Sequence, residues 1–199
     1  IQLESGSTSS NYCDGSLTGN GTHSWSGTAH ASSSICSKGS DGMIAGASWQ
    51  SEDQCIAGKC LQFNGSTQYV DTNNFNGAPS SSFTWSAWIK TNSLSANQVV
   101  ISNADTASCE DYILYVLTSG EIKFQVDGSG CGAQNAASVT TSGAGITINN
   151  WYYVVGVRNT SDTTTKVYVN GVLRGTTTAS ATTANRTMCF TIGKSYDCS

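Results

Sequence analysis

At 199 residues, with a formal net charge of -4 and 11% charged side chains, the chain has the size of one β domain whose core buries about 70% of the unfolded surface. Its nine Lys and Arg stand singly, which excludes a basic track for phosphates or an anionic membrane, so nucleic acid is not an expected partner. The 31 Ser and 24 Thr make the polar surface one of hydroxyls, and eight Cys without a paired CxxC arrangement read as disulfides rather than a zinc site.

Residues 1–42 carry few apolar side chains among many Gly, Ser and Asn, so loop is predicted throughout, tied down by Cys13 and Cys36. Only Ile1-Gln2-Leu3 alternates like a strand. The sequence opens on Ile1 without a charged-then-apolar leader and reads as a mature secreted product, and no apolar run approaches the roughly 20 residues of a membrane span. Met43–Ala45 and Ala47–Trp49 predict a short strand pair. Leu61–Phe63 and Gln68–Val70 bracket Asn64-Gly65 as a tight turn.

Phe83–Ile89 alternates, which puts Phe83, Trp85, Ala87 and Ile89 on a core face and Thr84, Ser86 and Trp88 on the other. An aromatic such as Trp88 in a sandwich strand is expected to pack under a loop or between sheets rather than to offer a sugar-stacking platform. Val99–Ile101 is a short buried run. Tyr112–Leu117 and Ile122–Val126 predict a hairpin with Ser119-Gly120 as a two-residue loop; that register sets Cys109 opposite residue 130, next to Cys131, and predicts a Cys109–Cys131 disulfide. For the other six cysteines the pairs nearest in sequence are the expectation: Cys13–Cys36, Cys55–Cys60 and Cys189–Cys198.

Trp151–Val157 is a nearly continuous apolar strand. Lys166–Val169 and Val172–Arg174 flank Asn170-Gly171, a dipeptide that tolerates the positive φ a type I′ hairpin turn demands at both positions. The last predicted strand is Cys189–Ile192. Asn20, Asn64, Asn159 and Asn185 each stand in an Asn-x-Ser/Thr acceptor pattern, so a glycosylated extracellular or cell-surface protein is expected, with at least two of the four carrying glycan.

The ordered segments LQFNGSTQYVD (61–71), FTWSAWIKT (83–91), VVIS (99–102), YILYVLTSGEIKFQV (112–126), WYYVVGV (151–157), KVYVNGVLRG (166–175) and FTIGKS (190–195) resemble the laminin-G-like jelly roll of the concanavalin A-like lectin and glucanase superfamily. SKGSDGMIAGASWQ (37–50) resembles the segment these domains carry upstream. The resemblance implies an all-β, antiparallel two-sheet sandwich, here stapled by disulfides. It divides the chain into an N-terminal strand and tether, 1–12, and one jelly-roll domain, 13–199. Activity does not follow from it, because the superfamily holds lectins, glucanases, adhesion modules and spacers.

Glucanases of the superfamily carry Glu-x-Asp-x-Glu or Glu-x-Asp-x-x-Glu on one strand, since retaining hydrolysis needs two carboxyl groups on the same face. Glu52-Asp53 and Glu110-Asp111 are adjacent instead, and Tyr153 stands where members often have His. No catalytic residue and no cofactor are therefore expected, and a glycoside hydrolase is the weakest reading. Calcium is a candidate in the oxygen-rich loop from Asn103 and Asp105 to Glu110-Asp111, without an assigned ligand set.

Members of the superfamily open with an apolar strand where this chain has CDGSLTGNGTHSW (13–25). A sandwich short of a strand leaves a groove and an unpaired edge. Ile1, Gln2, Leu3, Glu4 and Ser5 are the segment that fills it, in their own chain or, across the Gly6–Ser10 tether, in a neighbouring copy; the second arrangement is head-to-tail and builds a fibre. The expected function is a non-enzymatic, secreted structural or adhesive glycoprotein with copies of itself as partners. The alternative is a lectin-like module that binds glycan, with Trp88, Tyr112 or Tyr115 as stacking groups.

Overall fold

The computed structural model describes residues 22–25, 34–37, 43–72, 82–104, 110–127, 136–181 and 189–194. The chain divides into two compact units, Ile1–Asp41 and Gly42–Ser199. In the first, β1 (Thr22–Trp25) pairs antiparallel with β2 (Ser34–Ser37), His23 standing opposite Cys36. Loop was expected across this leader. Runs of four residues are too short to show a period, and their pairing depends on the partner rather than on local pattern.

The second unit is a sandwich of antiparallel sheets. Its strands are β3 (Met43–Ala45), β4 (Ser48–Gln50), β5 (Cys60–Gln62), β6 (Tyr69–Asp71), β7 (Phe83–Ile89), β8 (Gln98–Ala104), β9 (Glu110–Val116), β10 (Ile122–Val126), β11 (Val139–Thr140), β12 (Tyr152–Asn159), β13 (Thr164–Val169), β14 (Val172–Thr178) and β15 (Cys189–Ile192). One sheet runs β11-β10-β9-β8-β15-β6-β3 and the other β14-β13-β12-β7, while β4 and β5 form a separate ribbon. The core between them holds Trp85, Tyr112, Leu114, Ile122, Phe124 and Val154 with their neighbours.

Two pairs of neighbouring strands do not pair with each other, the first of them an expected pair. β3 does not pair with β4: Gly46, at φ +71°, turns the chain between them, and β3 joins β6 while β4 joins β5. Nor do the strands flanking Asn64-Gly65 form a hairpin. Asn64 Oδ1 accepts the backbone N–H of Ser66, Thr67 and Gln68 at 3.0, 3.0 and 3.2 Å, a local turn that releases β6 into the large sheet. Short side-chain-made turns of this kind satisfy the backbone without specifying a partner strand.

The β9–β10 hairpin is shifted by one residue from the expected register. Leu117 and Glu121 close the loop, with Leu117 N–H on Glu121 O at 2.8 Å and Gly120 N–H on Leu117 O at 3.0 Å, so Val116 faces Ile122. A three-residue loop with Gly120 at φ +77° takes the place of a two-residue one. The Asn170-Gly171 turn, by contrast, is as expected: φ values of 51° and 79° join Val169 to Val172.

β12 alternates where its sequence looked continuously apolar. Val154, Gly156 and Arg158 face inward. Gly156 is required by the Phe124 ring, whose Cδ1 would lie 2.9 Å from a Cβ at that position. Arg158, 2% exposed, donates from Nη1 to Thr163 O (3.0 Å) and Thr165 Oγ1 (2.9 Å) and from Nη2 to Ala179 O (3.1 Å), which satisfies the guanidinium and pins the β12–β13 loop to the end of β14.

Candidate functional site

The outer face of the four-stranded sheet carries an aromatic pair. Period-two alternation points Trp88 away from the core, and the β7–β12 register sets Tyr153 directly opposite it. The ring centroids lie 5.3 Å apart with planes at 39°, and Trp88 is 49% exposed. Trp88 was expected to be packed. It is displayed instead, supported from one side by Tyr153. Just past the end of β7, Lys90 Nζ lies 5.2 Å from the Trp151 ring centroid and donates to Gln54 O at 3.1 Å. That bond ties the Glu52–Gln54 turn to the end of the sheet, and the turn leads into the loop closed by the Cys55–Cys60 disulfide, as expected for that pair. A half-exposed indole backed by a phenol ring can stack on the C–H face of a sugar, with the Ser86 hydroxyl on the same face for polar contact.

The other stacking candidates differ. Tyr112 is 1% exposed and packs edge-on against Phe83 at 4.7 Å, so it is a core residue and no platform. Tyr115 lies part-buried on the opposite face of β9. That face of the seven-stranded sheet also carries Gln125 and Asp127, 6% and 4% exposed, with Gln125 Nε2 donating to Asp127 Oδ2 at 2.9 Å; Lys123 Nζ donates to Gln125 Oε1 at 3.2 Å. Ser102 and Ile113 on the same face are fully buried. Its central positions are closed to a ligand in this state.

Of the sequon residues, Asn64 is exposed and Asn159 part-buried, its Oδ1 accepting Ser161 N–H at 3.0 Å and Ser82 O–H at 3.1 Å. Asn20 and Asn185 lie outside the described residues, as do Ile1–Ser5, Cys13, Cys109, Cys131, Cys198 and the side chains of Cys36 and Cys189. Of the calcium loop, Asp105 is likewise outside and Asn103 is a buried strand residue opposite Phe190. Among the described residues no three His, Cys, Asp or Glu gather closely enough for a metal ion.

Three carboxylates have structural partners. Glu121 accepts the Thr141 hydroxyl and the N–H groups of Gly143 (3.0 Å) and Ala144 (3.1 Å), which fastens the segment after β11 to the β9–β10 loop. Hydrogen bonds from Ser51 and then Gln54 hold Asp53 below the usual carboxylate pKa, and bonds from Thr164 do the same for Asp162. Local reading singled out Trp88 but not its support from Tyr153, nor the Lys90–Trp151 contact, because both arise from pairing between β7 and β12. The period-two pattern places each residue on its face; no local signal names the residue across the ladder.

Residues 64–199 match a laminin-G model described as Concanavalin A-like lectin/glucanases superfamily. No curated protein matches the chain in sequence. Among solved structures, the crystal structure of HCR/D-Sa-GBL1/C is similar at a TM-score of 0.57 and 17% identity, covering 81% of this chain; the chain spans 40% of that one. The carbohydrate binding module CBM66 from Bacillus subtilis aligns at 0.45 and 14% identity, over 76% of this chain and 87% of the module. The heptameric SAP-like pentraxin from Limulus polyphemus aligns at 0.41 and 21% identity, over 57% of this chain and 52% of its own.

Proposed function

The chain belongs to the concanavalin A-like lectin/glucanase superfamily, and from that premise we propose that it is a non-catalytic, extracellular structural or adhesive module that joins copies of itself head to tail into a fibre through the N-terminal strand Ile1–Ser5. The observation that carries this reading is that the four-stranded sheet stops at β7, a seven-residue strand with no strand beyond it among the described residues. Long open edges invite strand addition, and proteins that display one ordinarily cover it. The non-catalytic reading is supported by Glu121, Asp53 and Asp162, all bound into loops rather than facing one another across a cleft. Glycan at Asn64 and Asn159 would coat such a fibre. The test is the mass and shape of the native secreted material: light scattering and electron microscopy are expected to show filaments, and a chain lacking residues 1–10 is expected to remain monomeric. Equal monomeric behaviour of both chains would overturn the fibre.

A second reading, lectin-like glycan binding, is favoured by the exposed Trp88–Tyr153 pair. On a glycan array, binding is expected to vanish in Trp88→Ala while thermal stability stays within experimental error. Retained binding in that variant removes the platform from consideration.

A further inference from the structure

Four strands terminate the two sheets, and they are unequally open. β11 has two residues and β3 three, too few to ladder a five-residue segment. β14 has seven, but its free side is crossed: Ser142 N–H bonds Arg174 O at 3.0 Å, and a Cβ at Gly175 would lie 2.9 Å from Thr140 O. β7 also has seven, and no backbone hydrogen bond reaches its outer side from the described residues.

The core under β7 is open as well. Phe83, Ala87 and Ile89 point into the sandwich and remain only partly buried, with the large Trp85 between Phe83 and Ala87 buried at 7% exposed, whereas Val154, opposite Ala87, and Val167 in β13 are 0% exposed. Core-facing side chains left partly covered toward both ends of a strand are what a missing neighbour strand produces.

We propose that the free edge of β7 is the acceptor of the assembly: Ile1–Ser5 of a second copy lies beside Phe83–Ile89 as a fifth strand of the four-stranded sheet. This rests on the head-to-tail reading. Five residues extend about 17 Å, within the roughly 23 Å that seven strand residues offer. Ile1 and Leu3 share one face of that strand and cover Phe83, Ala87 and Ile89, while Gln2 and Glu4 continue the polar outer face of Thr84 and Ser86.

Amide hydrogen exchange on the full chain, on a chain lacking residues 1–5 and on Leu3→Asp tests this, with circular dichroism to confirm that each is folded. In the assembled full chain the amides of 83–89 are expected to exchange at least about tenfold more slowly than in either variant, with 43–45 unchanged. Adding a synthetic peptide of residues 1–10 to the shortened chain is expected to restore protection at 83–89. Loss of assembly with the protection change at 43–45, or anywhere other than β7, overturns β7 as acceptor and leaves the fibre standing. A monomeric full chain whose 83–89 amides depend on residues 1–5 means the strand closes its own sheet, which overturns the second copy as donor. A monomeric full chain with no amide altered overturns both.

Discussion

Strands β7 and β12 lie side by side in one sheet, of seven and eight residues, and both alternate between core and outside. Yet Val154 of β12 is 0% exposed, while Ala87 across from it and Ile89 further along stay partly open and only the large Trp85 of β7 is buried. A core-facing direction supplies half of burial; the other half is a neighbour on each side of the strand. β12 has β7 and β13, and β7 has β12 alone among the described residues.

That contrast can be broken by truncation. Leu114→Ala, at a 0% exposed site in β9, is expected to cost about 2–5 kcal/mol in urea unfolding without a change of slope, and Ile89→Ala less than half as much in the monomer. Equal losses would mean that the β7 side is as closed as the rest. Arg158→Ala is the next largest, about 3 kcal/mol, because the buried Thr165 Oγ1 and the part-buried Ala179 O lose their donor, while Thr163 O keeps the N–H of Ala179. A loss below about 1 kcal/mol would show that water replaces the guanidinium there.

Smaller effects sharpen the comparison. Ser102 Oγ is buried without a hydrogen-bond partner among the described residues, so Ser102→Ala is expected to stabilise by about 1 kcal/mol, read as a higher midpoint; destabilisation would reveal a bound water or partner. Smallest is the pH dependence from Asp162, whose folded pKa lies below its unfolded 3.8. A lowered carboxylate pKa stabilises the fold above the unfolded value, and that contribution disappears as pH falls through the lower folded value. Asp162→Asn should therefore flatten the midpoint against pH in this acid range, its midpoint lying slightly below that of the unsubstituted chain near neutrality and meeting it where Asp162 is protonated. An unaltered profile in the variant would assign the acid sensitivity elsewhere.

Much of the sandwich was legible because its signals are local. The alternation of Phe83–Ile89 and the Asn170-Gly171 turn need nothing beyond neighbouring residues: one follows from side chains pointing to opposite faces, the other from the φ that Asn and Gly tolerate. The loop Leu117–Glu121 was harder, since two- and three-residue hairpin loops accept the same Ser-Gly, and a single step of register shifts the expected partner of Cys109. Tyr112 and Trp88 were equivalent as aromatic candidates on paper; one is a core residue and the other a displayed ring.

The sequence by itself determined the class of fold, the strands with clear period two and the tight turns, all set by contacts a few residues long, and it made the Cys55–Cys60 link an expectation that the structure bears out. Tertiary structure alone decided which strands lie side by side, and with that the Trp88–Tyr153 pair, the buried Arg158 and the openness of β7. Those depend on residues brought together from distant parts of the chain, whose meeting is governed by the burial of the whole sandwich rather than by any local preference.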